Sequence, residues 1–484
     1  MRDKPKKLFI ECTYTHLSEL NTGIQRVVRK LVAHLPKVAD DYGFTIHPVI
    51  LSNDRFIEIE ALNSVEFNQT RNKKQLLLRT LRHTYQVSRK GIATLLPHPK
   101  VKRFLFAHRN EFGLNYLLDQ TIIRSILKAK SLIKASEVIQ EEGRPPVNAS
   151  KGDILLLLDS SWHMDIWQAV AEMRTQGVQP LTIAYDLIPI LHPQFLNESL
   201  VCVFKNWFQQ AAHHCDGFIA ISKTVQGEIK QQLAKIPEIN PSEKFTTHFS
   251  LGADFFNTGI TPNRVRTQLK NIFERTSKKH TNIYLSVGTI EPRKNHHYLL
   301  DAFDRLWDQG LQIQLCLVGK YGWQYSNILS RIKSHKFYAK YLFLWNDLND
   351  SELAYCYQHS STLLFASYAE GFGLPIIEGL HYGLQVLASD IPVHREVGGT
   401  GVDYFRLDNP EELAQKIEQI ETTGQPVKQK APYKACQLLT WEQSARSLMH
   451  EIVNFTQRHP QKISPATGGQ KTGNQGTSPS AQIH

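Results

Sequence analysis

Cysteine is scarce in this chain of 484 residues, and the few cysteines present form no recognisable pattern. The six are Cys12, Cys202, Cys215, Cys316, Cys356 and Cys436. They include no C-x-x-C pair and no spacing typical of a zinc site. We therefore expect buried, reduced thiols, as in proteins of a reducing compartment, and no disulfide framework.

Long apolar runs and two common sequence signatures are also missing. No window approaches 18 uncharged apolar residues, so the sequence predicts no transmembrane helix. The first apolar run, Leu-Phe-Ile, is too short for the core of a signal peptide, and we expect a cytoplasmic protein. No G-x-G-x-x-G follows the first predicted strand, which argues against an NAD-dependent oxidoreductase. No D-x-D triplet occurs, so nothing indicates a metal bridging phosphates.

Acidic residues are nearly absent between residues 71 and 134. Fifteen lysines and arginines lie there against only Glu111 and Asp119, a local net charge of +13 compared with +11 for the whole chain. Leucines and isoleucines alternate with these basic residues at roughly helical spacing, which favours a helix lying on anionic lipid. An ordinary solvated face and a polyanion site stay open as alternatives. No nucleic-acid module accompanies the patch, so we expect no nucleic acid.

Apolar strand-like runs alternate with helical patterns in two stretches, as in parallel sheets covered on both faces. The first stretch predicts strands over 8–12, 44–51, 153–158, 181–185 and 218–222, with helices over 23–34 and 200–213. The second predicts strands over 282–288, 312–319, 341–345, 362–367 and 384–389, with helices over 296–308, 324–335, 351–359 and 375–383. The fold class is therefore α/β, with two doubly wound, Rossmann-like domains.

The chain divides into four parts on this interpretation. We expect an acceptor-side domain over 1–255 with a basic helical insert over about 60–150, and a nucleotide-binding domain over 256–438. Thr-Trp-Glu-Gln at 440–443 predicts a capping box that opens a last helix, within 439–460, packing back on the first domain. The polar, Gly- and Ser-rich tail over 461–484 is typical of disorder.

Two glutamates eight positions apart, Glu370 and Glu378, mark the segment EGFGLPIIE. It follows a buried strand, and its glycines allow a tight turn and close approach of a ligand. Pro375 suits a first helical position, which places Glu378 in the first turn of a helix. A helix N-terminus at the carboxyl edge of a parallel sheet can bind phosphate, and carboxylates can bind the diols of a sugar. The pattern indicates a nucleotide-sugar site, although an acidic first turn alone is also common.

The segment is similar to the E-x7-E signature of retaining glycosyltransferases of the GT-B fold, in particular glycosyltransferase family 4. VGTIEPRKNHHYLLDAF (287–303) resembles that family's phosphate-binding stretch, SLGADFF (250–256) its interdomain turn, and VHREVGG (393–399) its later acidic loop. The resemblance implies two domains facing across a cleft.

Two first-domain segments carry a further resemblance. NTGIQRVVRKLV (21–32) and AYDLIPILHP (184–193) resemble motifs of a subgroup that often builds bacterial surface polysaccharides. The likeness as a whole covers roughly residues 7–30 and 150–455.

The resemblance implies roles for individual residues on the donor side. Arg293 and Lys294 would bind the diphosphate, Glu378 the ribose diol and Glu370 the transferred hexose. The implied donor-binding set is Gly23, Arg293, Lys294, Asn346, Asp347, Glu370, Gly371, Phe372, Gly373, Leu374 and Glu378. Many family members have an arginine at the position of Thr289, for which Arg293 is the expected substitute.

The acceptor side departs from the family at one position. Tyr185-Asp186 replaces the usual His-Asp, and tyrosine cannot serve as a general base near neutral pH. Asp186 is expected to orient the sugar or acceptor, or else to cap the turn that follows it. Trp162, His163 and Tyr185 are candidate acceptor-binding residues. Candidate catalytic residues are Asp186, Arg293, Lys294 and Glu370.

The function implied is a retaining, metal-independent hexosyltransferase of surface polysaccharide biosynthesis. The donor is a nucleotide sugar, with GDP-mannose favoured, no cofactor is needed, and the acceptor is a glycan or lipid-linked glycan. The leaving phosphate would take the acceptor's proton, so the glutamates position the sugars without forming an acid/base pair. The basic segment would dock the enzyme at the inner face of the cytoplasmic membrane. An epimerase, a phosphorylase, and a nucleotide-sugar- or glycan-binding protein are the alternatives.

Overall fold

A computed structural model describes residues 5–18, 23–62, 144–253, 265–278, 281–423 and 438–459. Most of the basic insert, the expected boundary at 255/256 and the tail after 460 lie outside these residues. Elements are numbered below along the described residues. In this part of the chain, no helix is both long and apolar enough to cross a membrane.

The first sheet is parallel apart from one edge strand. Its order is β3-β2-β1-β4-β5-β6-β7, and only the β2–β3 pair is antiparallel. The strands are β1 (Lys6–Glu11), β2 (Phe44–Ser52), β3 (Arg55–Glu58), β4 (Ile154–Leu157), β5 (Gln179–Ala184), β6 (Gly217–Ala220) and β7 (Phe245–His248). β4 reads Ile-Leu-Leu-Leu and is buried throughout, as expected of a strand covered by helices on both faces.

The second sheet is parallel throughout. Its order is β10-β9-β8-β11-β12-β13, the 3-2-1-4-5-6 order of a doubly wound domain. The strands are β8 (Ile283–Val287), β9 (Gln314–Val318), β10 (Leu342–Trp345), β11 (Thr362–Phe365), β12 (Gln385–Ser389) and β13 (Asp403–Phe405). The α/β fold class with two doubly wound domains is therefore confirmed.

Helices cover both sheets. Those that accompany the first sheet are α1 (Thr13–Leu17), α2 (Gly23–Val38), α3 (Trp167–Thr175), α4 (Ile188–Leu191), α5 (Glu198–His214) and α6 (Lys223–Leu233). The following helices are α7 (Thr267–Lys278), α8 (His296–Asp308), α9 (Ser326–Lys333), α10 (Asp350–His359), α11 (Leu374–His381), α12 (Pro392–Gly398), α13 (Pro410–Thr423) and α14 (Trp441–Arg458). The ten predicted strands and the six predicted intervening helices are all present, with end positions shifted by at most four residues.

Three strands were missed by the sequence patterns, for two reasons. β7 carries Thr-Thr-His after its first residue, and its side chains are only partly buried, so it lacks an apolar run. β3 and β13 are only four and three residues long, too short to show an alternation of apolar and polar residues. The expectation of buried thiols is met by Cys12, Cys215, Cys316 and Cys356 but is wrong for Cys202, because it lies on the solvent face of α5.

The last helix packs into the core of the first domain. The side chain of Thr440 and that of Gln443 form the predicted capping box at its N-terminus. Its fully buried side chains lie at helical spacing against α2 and the first sheet: Trp441, Ala445, Leu448, Ile452 and Phe455. Just before the helix, the Leu439 carbonyl accepts a hydrogen bond from Ala253 N at 2.8 Å. The helix α14 thus follows the second sheet in sequence but packs on the first domain.

We predict that Trp441→Ala lowers the free energy of unfolding of the first domain by about 3–5 kcal/mol, because it leaves a large cavity in the core. Urea unfolding followed by circular dichroism measures the change. Trp323→Ala is the matched control, since that indole is 47% exposed and its loss should change stability by less than about 0.5 kcal/mol. Equal effects of the two substitutions would contradict the packing of α14.

Candidate active site

Two turns meet at the carboxyl edge of the second sheet. β8 and β11 are neighbours there, although other strands separate them in sequence, which makes this edge the topological switch point where such sheets bind ligands. A short 3-10 turn, Pro292–Lys294, follows β8. The segment after β11 joins it through a hydrogen bond from Tyr368 N to the Arg293 carbonyl at 2.9 Å. The chain fold therefore brings Arg293 and Lys294 beside Glu370.

Glu370 is a buried carboxylate held by two cations. Lys294 Nζ lies 2.5 Å from Oε1, and Arg293 Nη1 lies 2.9 Å from Oε2. Burial acts to raise the pKa of Glu370, but Arg293 and Lys294 outweigh it and lower that pKa well below its ordinary value. Glu370 is therefore ionised, and both of its oxygens can accept hydrogen bonds from hydroxyl groups.

The two cations differ in what else they bind. Arg293 also donates to the Ala369 carbonyl at 2.6 Å and, through Nε and Nη2, to Glu291 Oε1 at 3.1 and 2.7 Å. Lys294 lies over the ring of Phe365 at 5.0 Å and pairs with Glu370. Burial lowers the pKa of Lys294, and the Glu370 carboxylate opposes that shift. Arg293 thus binds Glu291, the Ala369 carbonyl and Glu370, whereas Lys294 pairs with one carboxylate, that of Glu370.

A cavity of about 560 Å³ opens between the two domains at this edge. Its volume is in the range of small-molecule sites. Of the expected site residues, all but His163 and Asp347 line it. The wall includes Gly23, Arg26, Trp162, Tyr185 and Asp186 of the first domain and Arg293, Lys294, Asn346, Glu370 and Glu378 of the second. Residues separated widely in sequence therefore share one cleft.

Glu378 lies deeper in the helix than expected. α11 begins at Leu374 after Gly373, which has a φ of 106°, so Glu378 is its fifth residue and does not lie in the first turn. The left-handed Gly373 caps the helix one residue earlier than the position of Pro375 suggested. Glu378 is 2% exposed and accepts from Arg26 Nη2 at 2.8 Å and from the Tyr357 hydroxyl at 2.5 Å. Neither partner was identified from the sequence, although Arg26 lies in the quoted NTGIQR segment.

Gly371 is a point of close approach between the domains. A Cβ atom there would lie 1.8 Å from the Tyr185 carbonyl oxygen, so no other residue fits without movement. The Gly371 carbonyl accepts a hydrogen bond from Ser222 Oγ at 2.8 Å. Phe372 is buried in the first-domain core cluster, with Leu374 packed against that cluster. The turn that carries Glu370 thus docks directly on the first domain.

Glu396 of α12 makes a second interdomain contact. Its carboxylate accepts from Lys223 N at 2.6 Å, Thr224 N at 2.8 Å and Thr224 Oγ1 at 2.6 Å. These amides belong to the first turn of α6, where unpaired N–H groups and the helix dipole favour an anion. A charge from one domain therefore caps a helix of the other.

The expected acceptor-side residues are dispersed around one wall. Trp162 Nε1 donates to His163 Nε2 at 2.8 Å, and the indole packs against Phe204. The Tyr185 hydroxyl donates to the Leu158 carbonyl at 2.7 Å. Asp186 Oδ1 accepts from Ile188 N at 3.0 Å, so it caps the following turn while also lining the cavity. Burial raises the pKa of Asp186, and Arg293 opposes that shift.

The two residues expected near the base are separated. Asn346 lines the cavity, whereas Asp347 points to Arg266, whose Nη1 lies 2.9 Å from Oδ1. Arg266 also pairs with the buried Glu352 at 2.6 Å. Asp347 therefore belongs to a structural ion-pair network beside the cleft.

A buried acidic network lies at the corresponding edge of the first sheet. Glu11 ends β1 and accepts from Thr13 N at 2.9 Å and Ser161 Oγ at 2.5 Å. Asp159, after β4, accepts from Thr15 N at 2.5 Å. Burial, together with Asp159, raises the pKa of Glu11 to about 7. This network secures α1 below the cleft, and the sequence patterns did not indicate it.

Within the described residues, no group of three or more His, Cys, Asp or Glu side chains is arranged to hold a metal ion. The charged side chains at the centre of the cleft are paired: Arg26 with Glu378, and Arg293 and Lys294 with Glu370.

Two doubly wound domains that face across a cleft, with a cation–carboxylate cluster at the switch point, define the GT-B class of architecture. Residues 267–435 match the family described as "Glycosyl transferases group 1". The match covers most of the second domain, and the resemblance to GT-B glycosyltransferases of the O-antigen mannosyltransferase group is confirmed.

Several known proteins are similar to this chain. The serotype-specific mannosyltransferase WbdA of Escherichia coli is 31% identical over 319 residues, which covers 63% of this chain and 38% of WbdA. The O-antigen chain mannosyltransferase RfbU of Salmonella typhimurium is 24% identical over 50% of this chain and 61% of its own length. A glycosyltransferase structure from Rickettsia africae is 15% identical, with a TM-score of 0.46 over 93% of each chain. The chain thus spans well under two thirds of the length of the WbdA relatives.

We predict that Glu370→Gln lowers the free energy of unfolding by about 3–5 kcal/mol, because two buried cations lose their shared carboxylate. Chemical unfolding at neutral pH measures the loss. Asp390→Asn is the matched control: its carboxylate pairs with the exposed Arg395, and such pairs contribute about 0–1 kcal/mol. A loss for Glu370→Gln no larger than for the control would contradict the buried ion pair.

We predict that the stability of the wild-type protein falls relative to Glu11→Gln as pH rises from 5 to 8. Glu11 has its pKa raised from 4.5 to about 7 in the folded state, so the folded state binds more protons between these values. The free energy of unfolding then declines by up to about 3 kcal/mol as pH rises across that window, and it levels off above the window. Urea unfolding of both proteins at pH 5 and pH 8 measures the difference. Identical pH profiles would show that Glu11 titrates normally.

Proposed function

We propose that the protein is a retaining glycosyltransferase that moves a hexose from a nucleotide sugar to a glycan or lipid-linked acceptor in surface polysaccharide assembly. The observation that carries the proposal is the buried contact of Lys294 with Glu370 at 2.5 Å, at the switch point and inside a cleft that both domains line. A cation suits the departing diphosphate, and the ionised carboxylate suits the sugar hydroxyls. Glu378 lines the same cavity and suits a ribose diol.

Lys294 is the residue proposed to bind the diphosphate of the donor. Its ammonium group contacts one carboxylate, and a phosphate oxygen can join that contact without leaving Glu370 uncompensated. Arg293 is proposed as a positioning residue, since Glu291, Glu370 and the Ala369 carbonyl already engage its guanidinium group. The resemblance implied that both neighbours bind the diphosphate, and the contacts of Arg293 favour Lys294 for that role.

The transfer is proposed to proceed by attack of the acceptor hydroxyl on the same face from which the phosphate leaves. The bond from the anomeric carbon to the phosphate oxygen breaks, the bond to the acceptor oxygen forms, and the acceptor proton passes to the leaving phosphate. The protein's part is to hold both sugars and to stabilise the developing charge. Lys294 and the N-terminus of α11 supply positive potential there, so the proposed reaction requires no metal and no cofactor.

The first-domain wall of the cleft is proposed to receive the acceptor. Trp162 offers an aromatic face, and Asp186 lines the cavity near Arg293. Mannose is the favoured sugar, with GDP-mannose as donor, because the similar proteins WbdA and RfbU are named as mannosyltransferases. A cytoplasmic site of action, with residues 71–134 docking on anionic lipid, completes the proposal.

We predict that one of UDP-, GDP- or ADP-linked hexoses is hydrolysed slowly by the purified protein, with release of its nucleoside diphosphate. GDP-mannose is the expected donor, and nuclear magnetic resonance of the freed sugar at early times should show retention of the anomeric configuration. Lys294→Ala should lower the release rate by about 10²–10³-fold, since it removes charge stabilisation of the leaving group. Glu378→Ala should lower the release rate for every nucleotide sugar, because the ribose diol is common to all three.

Lys336→Ala is the matched control, because that exposed lysine pairs with Asp308 away from the cleft. It should leave nucleotide release unchanged. Full activity of Lys294→Ala would overturn the proposed role of the lysine. No release together with no stabilisation by any nucleoside diphosphate would overturn the proposed function, since an excess of about 100-fold over Kd stabilises a protein by about 2.7 kcal/mol.

A further inference from the structure

The Glu378 carboxylate is bound by a residue from each domain. Tyr357 of the second domain donates its hydroxyl to Oε2 at 2.5 Å, and Arg26 of the first domain places Nη2 2.8 Å from Oε1. The carboxylate is 2% exposed, and the arginine side chain is 16% exposed. A carboxylate and a guanidinium group at this distance form a strong, charge-assisted hydrogen bond.

The two partners of Glu378 lie on different sides of it. Arg26 lines the cavity between the domains, whereas Tyr357 is buried in the second-domain core. Burial and the Glu378 charge both raise the pKa of Tyr357, so its hydroxyl keeps its proton and stays a donor. A diol that enters the cavity to bind Glu378 therefore meets the arginine first and leaves the tyrosine contact in place.

Arg26 is also placed to meet a phosphate. It is the fourth residue of α2. The helix begins with Gly23, which lines the same cavity. Among the described residues, nothing lies within 4 Å of the position that a Cβ atom of Gly23 would occupy. The wall of this cavity also carries Lys294, on which the proposed diphosphate site is built. A guanidinium group binds phosphate oxygens in a planar, two-point manner that lysine cannot match.

We propose that Arg26 exchanges partners during donor binding: it pairs with Glu378 in the empty enzyme and with the diphosphate of the nucleotide sugar in the loaded one. This inference rests on the proposed function of the same cleft. Ribose takes the place of the guanidinium group on Glu378, and the released arginine brings the first domain onto the phosphates. Arg26 thereby links recognition of the nucleoside to closure of the cleft over the diphosphate.

The exchange predicts opposite effects on two classes of ligand. A nucleoside carries the diol without phosphate, so it must displace Arg26 and gains no compensating contact. A nucleoside diphosphate displaces Arg26 but then binds it. Removing the arginine should therefore strengthen nucleoside binding and weaken nucleoside diphosphate binding. A residue that only supports the fold would change both affinities in the same direction.

The experiment measures the binding of guanosine and GDP, uridine and UDP, and adenosine and ADP to the full chain by nuclear magnetic resonance and calorimetric titration. For the base that the wild type binds, Arg26→Ala should weaken the nucleoside diphosphate by about 10- to 100-fold and tighten the nucleoside by several-fold. Arg26→Lys keeps the charge and should give an intermediate loss for the diphosphate.

Tyr357→Phe is the matched control, because it removes the other hydrogen bond to Glu378 and leaves the arginine. It should weaken the nucleoside and the nucleoside diphosphate together. Two results for Arg26→Ala would overturn the partner exchange: both affinities fall together, or the affinity for the nucleoside diphosphate does not fall. The proposed function would then still be supported by binding to the wild type. A wild type that binds none of the three diphosphates overturns the proposed function, and the exchange with it.

Discussion

The ion pairing of buried Glu370 with Lys294 and Arg293 is the contact on which the geometry of the cleft depends. Removing three charged groups from water is costly, so the arrangement persists only where hydrogen bonds satisfy the remaining atoms. Glu291 and the Ala369 carbonyl provide those bonds for Arg293. The pairing thus holds the turn after β8 against the turn after β11. Because Gly371 follows Glu370 directly, the same contact sets how that turn meets Tyr185 of the first domain.

The two domains meet through polar groups near the cleft and through apolar packing elsewhere. Glu396 caps α6, Ser222 binds the Gly371 carbonyl, and Arg26 reaches Glu378. Arg26 lines the cleft, so a ligand that enters it can compete for the contact with Glu378. The last helix, in contrast, buries Trp441 and Phe455 fully in the first domain. The chain therefore combines a permanent attachment of α14 with contacts at the cleft that a ligand can compete for.

Local sequence signals predicted the part of the site that lies in single segments. Glu370, Gly371 and Glu378 lie in one segment of nine residues after a strand, and Lys294 follows another strand, so a pattern could reveal them. Arg26 lies 352 residues from Glu378 in sequence, and Ser161, which donates a hydrogen bond to Glu11, lies 150 residues from it. Only the folded chain brings the members of each pair together. The position of Glu378 in α11 was also missed, because the start of that helix depends on the left-handed conformation of Gly373.

The sequence by itself determined the class of the protein. Apolar runs of five to eight residues separated by helical patterns predict parallel strands buried on both faces, and the glycine turn after one of them allows close approach of a ligand. The tertiary structure decided which charges face each other. Ion pairs depend on distances of a few ångströms between side chains that share no local pattern. The partners of Glu370, in its own domain, and those of Glu378, one in each domain, therefore became known only from the folded chain.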